Sequence, residues 1–476
     1  MNFEPVIGIE IHVELKTKSK MFSSAPVSFG ASPNTETVPY DLGCPGTMPV
    51  LNKQAVIYGI RVAKALNMKI DQLVQFDRKN YFYTDLPKGY QITQQEHPIG
   101  SNGYLDLRTS QGVKHIGIER VHMEEDTAKQ LHLGDMTLVD YNRAGTPLLE
   151  VVSMPDMRSA EEAMKYVEAI HQIVTFLDVS DGKMEEGSMR CDINISLRPY
   201  GSEKLGTKCE IKNLNSIANV RAALEYEIKR QSELLLQGET ISQETRRYDE
   251  SLKKTSLMRV KTNAVDYKYF REPNILPIKL SDSFVSEAID SMGKLPEEYR
   301  IEFLHKGLND KEVEVLLGDK DFTFYFNDVV NIGCKSVKTL WNYLMGDISA
   351  YLNKDMLKIS DLKFTKEQLK AFCDMVSQGK INSKQAKEVL NLMLKDGTDP
   401  QKIVKDLGME QISDVASIRA IVDKVLNENE QSIHDFLHGK DRALGYIVGQ
   451  VMKESRGKAN PALAKKTILA EIEKRK

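Results

Sequence analysis

Residues 7–15 alternate between apolar and other side chains. Ile7, Ile9, Ile11, Val13 and Leu15 fall on one parity, and Gly8, Glu10, His12 and Glu14 on the other. Successive side chains of a β-strand point to opposite faces. The segment therefore predicts a strand with one apolar face that needs a core. Its other face carries two carboxylates and an imidazole, with about 7 Å between alternate residues. The two-residue period recurs. Arg190, Asp192, Asn194 and Ser196 alternate with Cys191, Ile193, Ile195 and Leu197, and Lys208, Glu210 and Lys212 alternate with Cys209 and Ile211. Two further segments, VHMEED at 121–126 and PLLEVV at 147–152, set acids among apolar residues.

Helical spacing of apolar residues appears at 52–67, at 159–178 and at 216–237, where Gly238 supplies a stop. Strands and helices do not alternate strictly, which favours an α+β fold over a doubly wound parallel sheet. From Leu295 the texture changes. Pro296, Glu297 and Glu298 suit a helix start, and helical periodicity continues almost to the end. Thr365 to Gln368 reads as a capping box, and Asp396 to Pro400 as a break. The pattern divides the chain into residues 1–292, 293–405 and 406–476.

Composition narrows the class. The chain has 476 residues, 41% hydrophobic and 28% charged, with a net charge of −3, as expected for a globular protein of two or three domains. No run of 18 apolar residues occurs, so no membrane span is expected. The N-terminus lacks the basic and apolar regions of a signal peptide. Five cysteines without a C-x-x-C pair argue against a disulfide framework and a cysteine zinc site, and point to a reducing cytoplasm.

The acids suggest chemistry. If the strands share one sheet, Glu10, His12, Glu125, Glu150, Asp192 and Glu210 converge on one face. So many carboxylates cannot all stay ionised without a counter-charge. A divalent cation supplies one, and acid-rich sites of this kind suit Mg²⁺ or Mn²⁺ and hold phosphates. P-loop, Rossmann, H-E-x-x-H and G-x-S-x-G motifs are all absent. Any nucleotide phosphates would then be held by metals and basic side chains. Candidates are Arg78, Lys79, Lys88 and Arg190. The tyrosines interleaved with Arg78 and Lys79 read either as a nucleobase or RNA surface or as a loop held by its own aromatics. From Lys453 to Lys476 eight Lys or Arg face three Glu, a local charge of +5. This stretch, with Lys453, Arg456, Lys458, Lys465 and Lys466, suits an RNA backbone or is a solvated terminal helix.

Longer words complete the picture. GIEIHVELKT at 8–17, DRKNYFYTDLPKGYQITQ at 77–94, HMEED at 122–126 and NRAGTPLLEVV at 142–152 occur in that order. They are followed by MEEGSMRCDINISLRP at 184–199, EIKNLNS at 210–216, QETRRYDE at 243–250 and GKANP at 457–461. In these the chain resembles the GatB family. Its members are large subunits of the tRNA-dependent amidotransferases, which correct mischarged tRNA to Gln-tRNA(Gln) or Asn-tRNA(Asn).

The resemblance implies a cradle domain with a glutamine-synthetase-like, mainly antiparallel sheet, then a helical domain and a small YqeY-like helical tail that binds tRNA. It implies ATP-dependent phosphorylation of the tRNA-borne glutamate or aspartate carboxylate. Ammonia then forms the amide, delivered through a tunnel from a partner amidase (glutaminase) subunit, and a small third subunit clamps the two large ones. The chain has no glutaminase constellation of its own.

Within that scheme His12, Glu125 and Glu150, with Glu10 nearby, are expected to hold one Mg²⁺. Asp192, Glu210 and Glu10 are expected to hold a second. Arg190 and Lys79 would neutralise the transferring phosphoryl group, with Lys88 beside the nucleotide. Glu125 at the tunnel mouth would take a proton from ammonium. Thr84, Thr127, Ala128, Thr262, Lys268, Arg271 and Asn274 depart from the family's usual residues. Cys44 stands alone where some relatives carry zinc cysteines, so no zinc is expected. Two rival classes remain: a free-standing ATP-dependent ligase of a small carboxylate, and an RNA-binding assembly factor with merely structural acids.

Overall fold

The computed structural model describes residues 3–260, 266–409, 415–438, 440–455, 458–459 and 461–475. Thr262, Arg456, and Gly457 and Asn460 of the GKANP word lie outside the described residues. The chain divides into two compact units, Met1–Pro296 and Glu297–Lys476.

The first unit contains strands β1 (Phe3–Glu14), β2 (Lys69–Ile70), β3 (Leu73–Val74), β4 (Asp77–Asn80), β5 (Tyr90–Thr93), β6 (Gly100–Thr109), β7 (Gly112–Glu125) and β8 (Lys129–Leu133). They are followed by β9 (Met136–Asp140), β10 (Pro147–Ser153), β11 (Met189–Pro199), β12 (Cys209–Lys212), β13 (Glu244–Asp249), β14 (Lys254–Val260), β15 (Phe270–Arg271) and β16 (Ile278–Lys279). Its helices are α1 (Lys53–Ala65), α2 (Ala160–Phe176), α3 (Ile217–Leu236) and α4 (Asp282–Asp290).

Among the described residues the main sheet has nine strands in the order β14-β13-β12-β11-β1-β10-β7-β6-β2. Only β12 and β13 run parallel in it. The unit is thus α+β with a mainly antiparallel sheet, as the texture of the sequence implies. The opening strand lies at its centre, where both neighbours satisfy its backbone. Alternation decides its two faces. Ile7, Ile9, Ile11 and Val13 are fully buried in one hydrophobic cluster with Tyr166, Val167 and Ile170 of α2 and Ala223 and Leu224 of α3. Each such side chain contributes about 1.5–3 kcal/mol through burial. Glu10, His12 and Glu14 take the other parity and stay partly accessible.

Local chemistry starts the covering helices. The side chains of Asn52, Ser159 and Ser216 accept hydrogen bonds from the first-turn amides of α1, α2 and α3, each cap being worth about 1 kcal/mol. Strand β6 approaches the end of α1 closely at Gly103. A Cβ there would lie 2.4 Å from the Leu66 carbonyl oxygen, so only glycine fits.

The second unit is built of helices. Thr365 caps Lys366–Ser377 through the expected capping box with Gln368. Gly397, at φ 71°, ends Ser383–Asp396, and Pro400 opens Pro400–Asp406. Toward the C-terminus Ile418, Val422, Leu426, Ile447, Val451 and Ile468 form a hydrophobic cluster of their own. No helix among the described residues is long and apolar enough to cross a membrane.

Candidate active site

Strand register sets a row of polar side chains across the sheet. His12 of β1 pairs with Arg190 of β11 on one side and Glu150 of β10 on the other, and Glu150 pairs in turn with His122 of β7. Two residues further along β7, Glu124 reaches the same group. His12 Nε2 lies 3.5 Å from Glu124 Oε1 and 3.5 Å from Glu150 Oε2. His122 Nε2 lies 3.0 Å from Glu150 Oε2 and 3.7 Å from Glu124 Oε2. One ligand atom each from His12, Glu124 and Glu150 falls within 4.8 Å of the others.

The electrostatics follow from two acids and two imidazoles that are buried or partly buried together. Burial works against the imidazolium of His12, but a hydrogen bond to Glu150 and its charge outweigh it, so the pKa rises. His122 is pushed up to about 9 against burial, chiefly by the charge of Glu150. Burial would also raise Glu150, but His122 and His12 hold it well below the usual carboxylate range. Nδ1 of His122 and Nε of Arg190 are buried without a hydrogen-bond partner. An imidazole and two carboxylates this close form a donor set that fits a hard divalent cation, and the buried unpaired donors beside it leave polar capacity for a bound group.

Glu125 does not join this group, contrary to expectation. Alternation carries Glu124 toward His12 and Glu125 elsewhere. Lys88 Nζ lies 2.5 and 2.6 Å from the two Glu125 oxygens, and the Ile92 amide donates to Oε1 at 3.0 Å. The carboxylate is thereby engaged, and Lys88 with it. The period-two rule that orders β1 holds here too: Val121 and Met123 are buried in the core, which puts His122 and Glu124 on the polar parity. Extending that rule through VHMEED is the signal that finds both residues.

The expected second cation set is also rearranged. Lys212 of β12 stands between its acids, hydrogen-bonded to Asp192 and 3.1 Å from Glu210 Oε1. Thr245 donates to the other Glu210 oxygen at 2.8 Å. Glu10 accepts from Asn194 Nδ2 at 2.9 Å, and its pKa is raised by burial and then by Glu150 and Asp192. The counter-charge demanded by Asp192 and Glu210 is thus an ammonium group of the chain itself.

Basic residues close the site. Arg190 donates from Nη2 to Asp126 Oδ2 at 2.6 Å, and Arg143 Nε lies 3.6 Å from the same oxygen. Glu14, two residues beyond His12, is pushed up to about 8 by burial and by Asp126. Lys79 of β4 is raised against burial by the charges of Glu124, Tyr269 and Glu150. Arg78 is taken by a two-pronged pair with Glu272, at 2.6 and 3.0 Å. Thr127 and Ala128 both lack positive φ, so the backbone after Glu125 needs no glycine there.

Residues 5–286 match the family model described as the GatB/GatE catalytic domain, and residues 324–472 the one described as the GatB domain. The B subunit of the aspartyl/glutamyl-tRNA(Asn/Gln) amidotransferase of Bacillus licheniformis is 50% identical over 477 residues, covering 100% of both chains. The proteins of the same name from Geobacillus thermodenitrificans and Lysinibacillus sphaericus are 50% and 49% identical over 477 and 476 residues, again with full coverage of both chains.

Proposed function

The chain belongs to the GatB/GatE family, and from that premise we propose that it amidates the side-chain carboxylate of glutamate or aspartate misacylated onto tRNA(Gln) or tRNA(Asn). The carboxylate oxygen attacks the γ-phosphorus of ATP, the bond to the β-phosphate oxygen breaks, and ADP leaves. Ammonia then attacks the acyl carbon of the acyl phosphate, inorganic phosphate departs, and the nitrogen gives up a proton. The observation that carries this reading is the His12–Glu124–Glu150 group, whose acids raise the pKa of Lys79 against burial. Mg²⁺ held by these three would balance the negative charge of the phosphates. Lys79 and Arg190 add fixed positive charge beside the transferring phosphoryl group.

The remaining assignments belong to the same proposal. Ammonia comes from an amidase subunit, and a small third subunit completes the complex. The site needs no zinc. Residues 293–405 form a helical domain, and 406–476 a tail whose Lys453, Lys458, Lys465 and Lys466 meet the tRNA backbone. The complex works in the cytoplasm. Family membership over the whole length disfavours a free-standing ligase of a small carboxylate.

The test is amidation by this chain co-expressed with its amidase and small subunits, given ATP, Mg²⁺, glutamine and Glu-tRNA(Gln) or Asp-tRNA(Asn). ATP-dependent formation of Gln-tRNA or Asn-tRNA that disappears in His12→Ala is the expected result. Absence of tRNA-dependent ATP turnover with both tRNAs would refute it.

A further inference from the structure

Two neighbouring segments beside the site interleave cations with aromatic rings: Lys79-Asn80-Tyr81-Phe82-Tyr83 and Tyr267-Lys268-Tyr269-Phe270-Arg271. Strand β4 pairs with β15 and ties them together. The Asn80 amide donates to Tyr267 O at 3.0 Å, and its side chain to Lys268 O at 2.8 Å. Their rings form a ladder of edge contacts. Tyr81 and Tyr267 have centroids 6.1 Å apart at 73°, and Tyr267 and Tyr269 are 6.0 Å apart at 64°. Lys79 Nζ stands 5.0 Å from the Tyr267 centroid. Strand β4 also pairs with β5, Asp77 opposite Thr93, and the Thr93 hydroxyl donates to Glu124 Oε2 at 3.5 Å, so the foot of the ladder adjoins the acids. The outer end is open: Phe82 is 90% exposed, Tyr83 66% and Phe270 50%.

We propose that this ladder is the stacking platform for the unpaired 3′-terminal nucleotides of the tRNA, whose aminoacyl end reaches the His12–Glu124–Glu150 group. This rests on the amidating function above and adds the surface that guides the substrate. Single-stranded RNA is bound by rings that accept base faces, together with cations that follow the backbone. Both are present here. Lys268 and Arg271 are exposed among the rings, whereas Asp77 of β4 and Glu272, just after β15, are buried, the latter on Arg78. The platform is also continuous with the candidate site, because the chain runs from β4, beside the strand of Thr93, on to Phe82 and Tyr83 at the rim. A protein partner would favour fewer lysines among the rings.

The test uses the complex with its amidase and small subunits, carrying wild-type chain or Phe82→Ala/Tyr83→Ala. Affinity is measured for intact tRNA and for the same tRNA lacking its unpaired 3′ nucleotides, with KM for ATP in parallel. Removing the nucleotides should weaken wild-type binding by about 10- to 100-fold. The double variant should bind intact tRNA as weakly as wild type binds truncated tRNA, and lose little more on truncation. Three results would overturn the proposal. Equal sensitivity to truncation in variant and wild type removes the stacking role. Failure of the variant to assemble gives the surface to one of the other subunits. A raised KM for ATP alone gives it to the nucleotide. Failure of the amidation reading is a different result, since there the wild-type complex itself turns over no ATP with either tRNA.

Discussion

Glu124 and Glu125 follow one another at the end of β7 yet serve different partners: Glu124 Oε1 lies 3.5 Å from His12 Nε2, while Glu125 Oε1 lies 2.5 Å from Lys88 Nζ. Glutamine at each position should therefore fail differently. Glu124→Gln keeps the shape but removes an anionic donor. It should lower divalent-cation affinity by about 10- to 100-fold or more, the loss seen even for partners one shell further out, with a smaller loss of stability than at Glu125, since Glu150 still faces both imidazoles. Glu125→Gln leaves the Lys88 ammonium, 9% exposed, without its counter-charge. That should cost about 3–5 kcal/mol of stability. Calorimetric cation titration beside denaturant unfolding separates the two, and the reverse pattern would sink the assignment.

Without a divalent cation, stability should fall as pH rises. The folded pKa of His122, about 9, lies above its unfolded value. Its contribution is full below about pH 6.5 and is lost as pH climbs through 9, a change of about 3 kcal/mol. Glu14, raised to about 8, acts in the same direction over a window that opens at lower pH. Unfolding in a chelator at pH 6 and pH 8.5 checks the sign. His122→Gln should flatten the slope above pH 6.5, and a wild-type protein more stable at pH 8.5 than at pH 6 would contradict the charge assignment.

The strand pattern carries much of this. Alternation in residues 7–15 announces both the buried face of Ile9 and Ile11 and the polar face of Glu10 and His12. The gathering of Glu150 and Arg190 beside His12 needs strand register, which alternation does not specify between segments so far apart in the chain. The expectation falls on Glu125 rather than Glu124 because the family word HMEED does not say where the strand's parity lies. The role of Lys212 is hidden for another reason. Its alternation with Glu210 is visible, but only the pairing of β11 with β12 brings its ammonium between Asp192 and Glu210.

Cation binding should release a proton. Glu150 and Glu124 raise the pKa of His12 against burial and so favour its imidazolium, yet a metal ligand must be the neutral ring. Titration of Mg²⁺ or Mn²⁺ at pH 7 in two buffers of different ionisation enthalpy should report a net release of protons on binding. His12→Gln should abolish the buffer dependence. Tight binding with identical heats in both buffers would place the cation away from His12.

Lys212 offers the last test, because it occupies the place where the sequence leads one to expect a second cation. Its ammonium bridges Asp192 and Glu210, which are 20% and 12% exposed as side chains. Lys212→Met keeps the stem and removes the charge. The two acids then repel each other, at a cost reduced by partial solvent access to about 1–2 kcal/mol. A divalent cation becomes the available replacement. Wild type should therefore bind one equivalent of Mn²⁺ in the absence of nucleotide, and the variant should gain a second, weaker equivalent that restores its melting temperature. Two equivalents in the wild-type protein would mean that Lys212 gives way to metal, and that Asp192 and Glu210 are ligands after all.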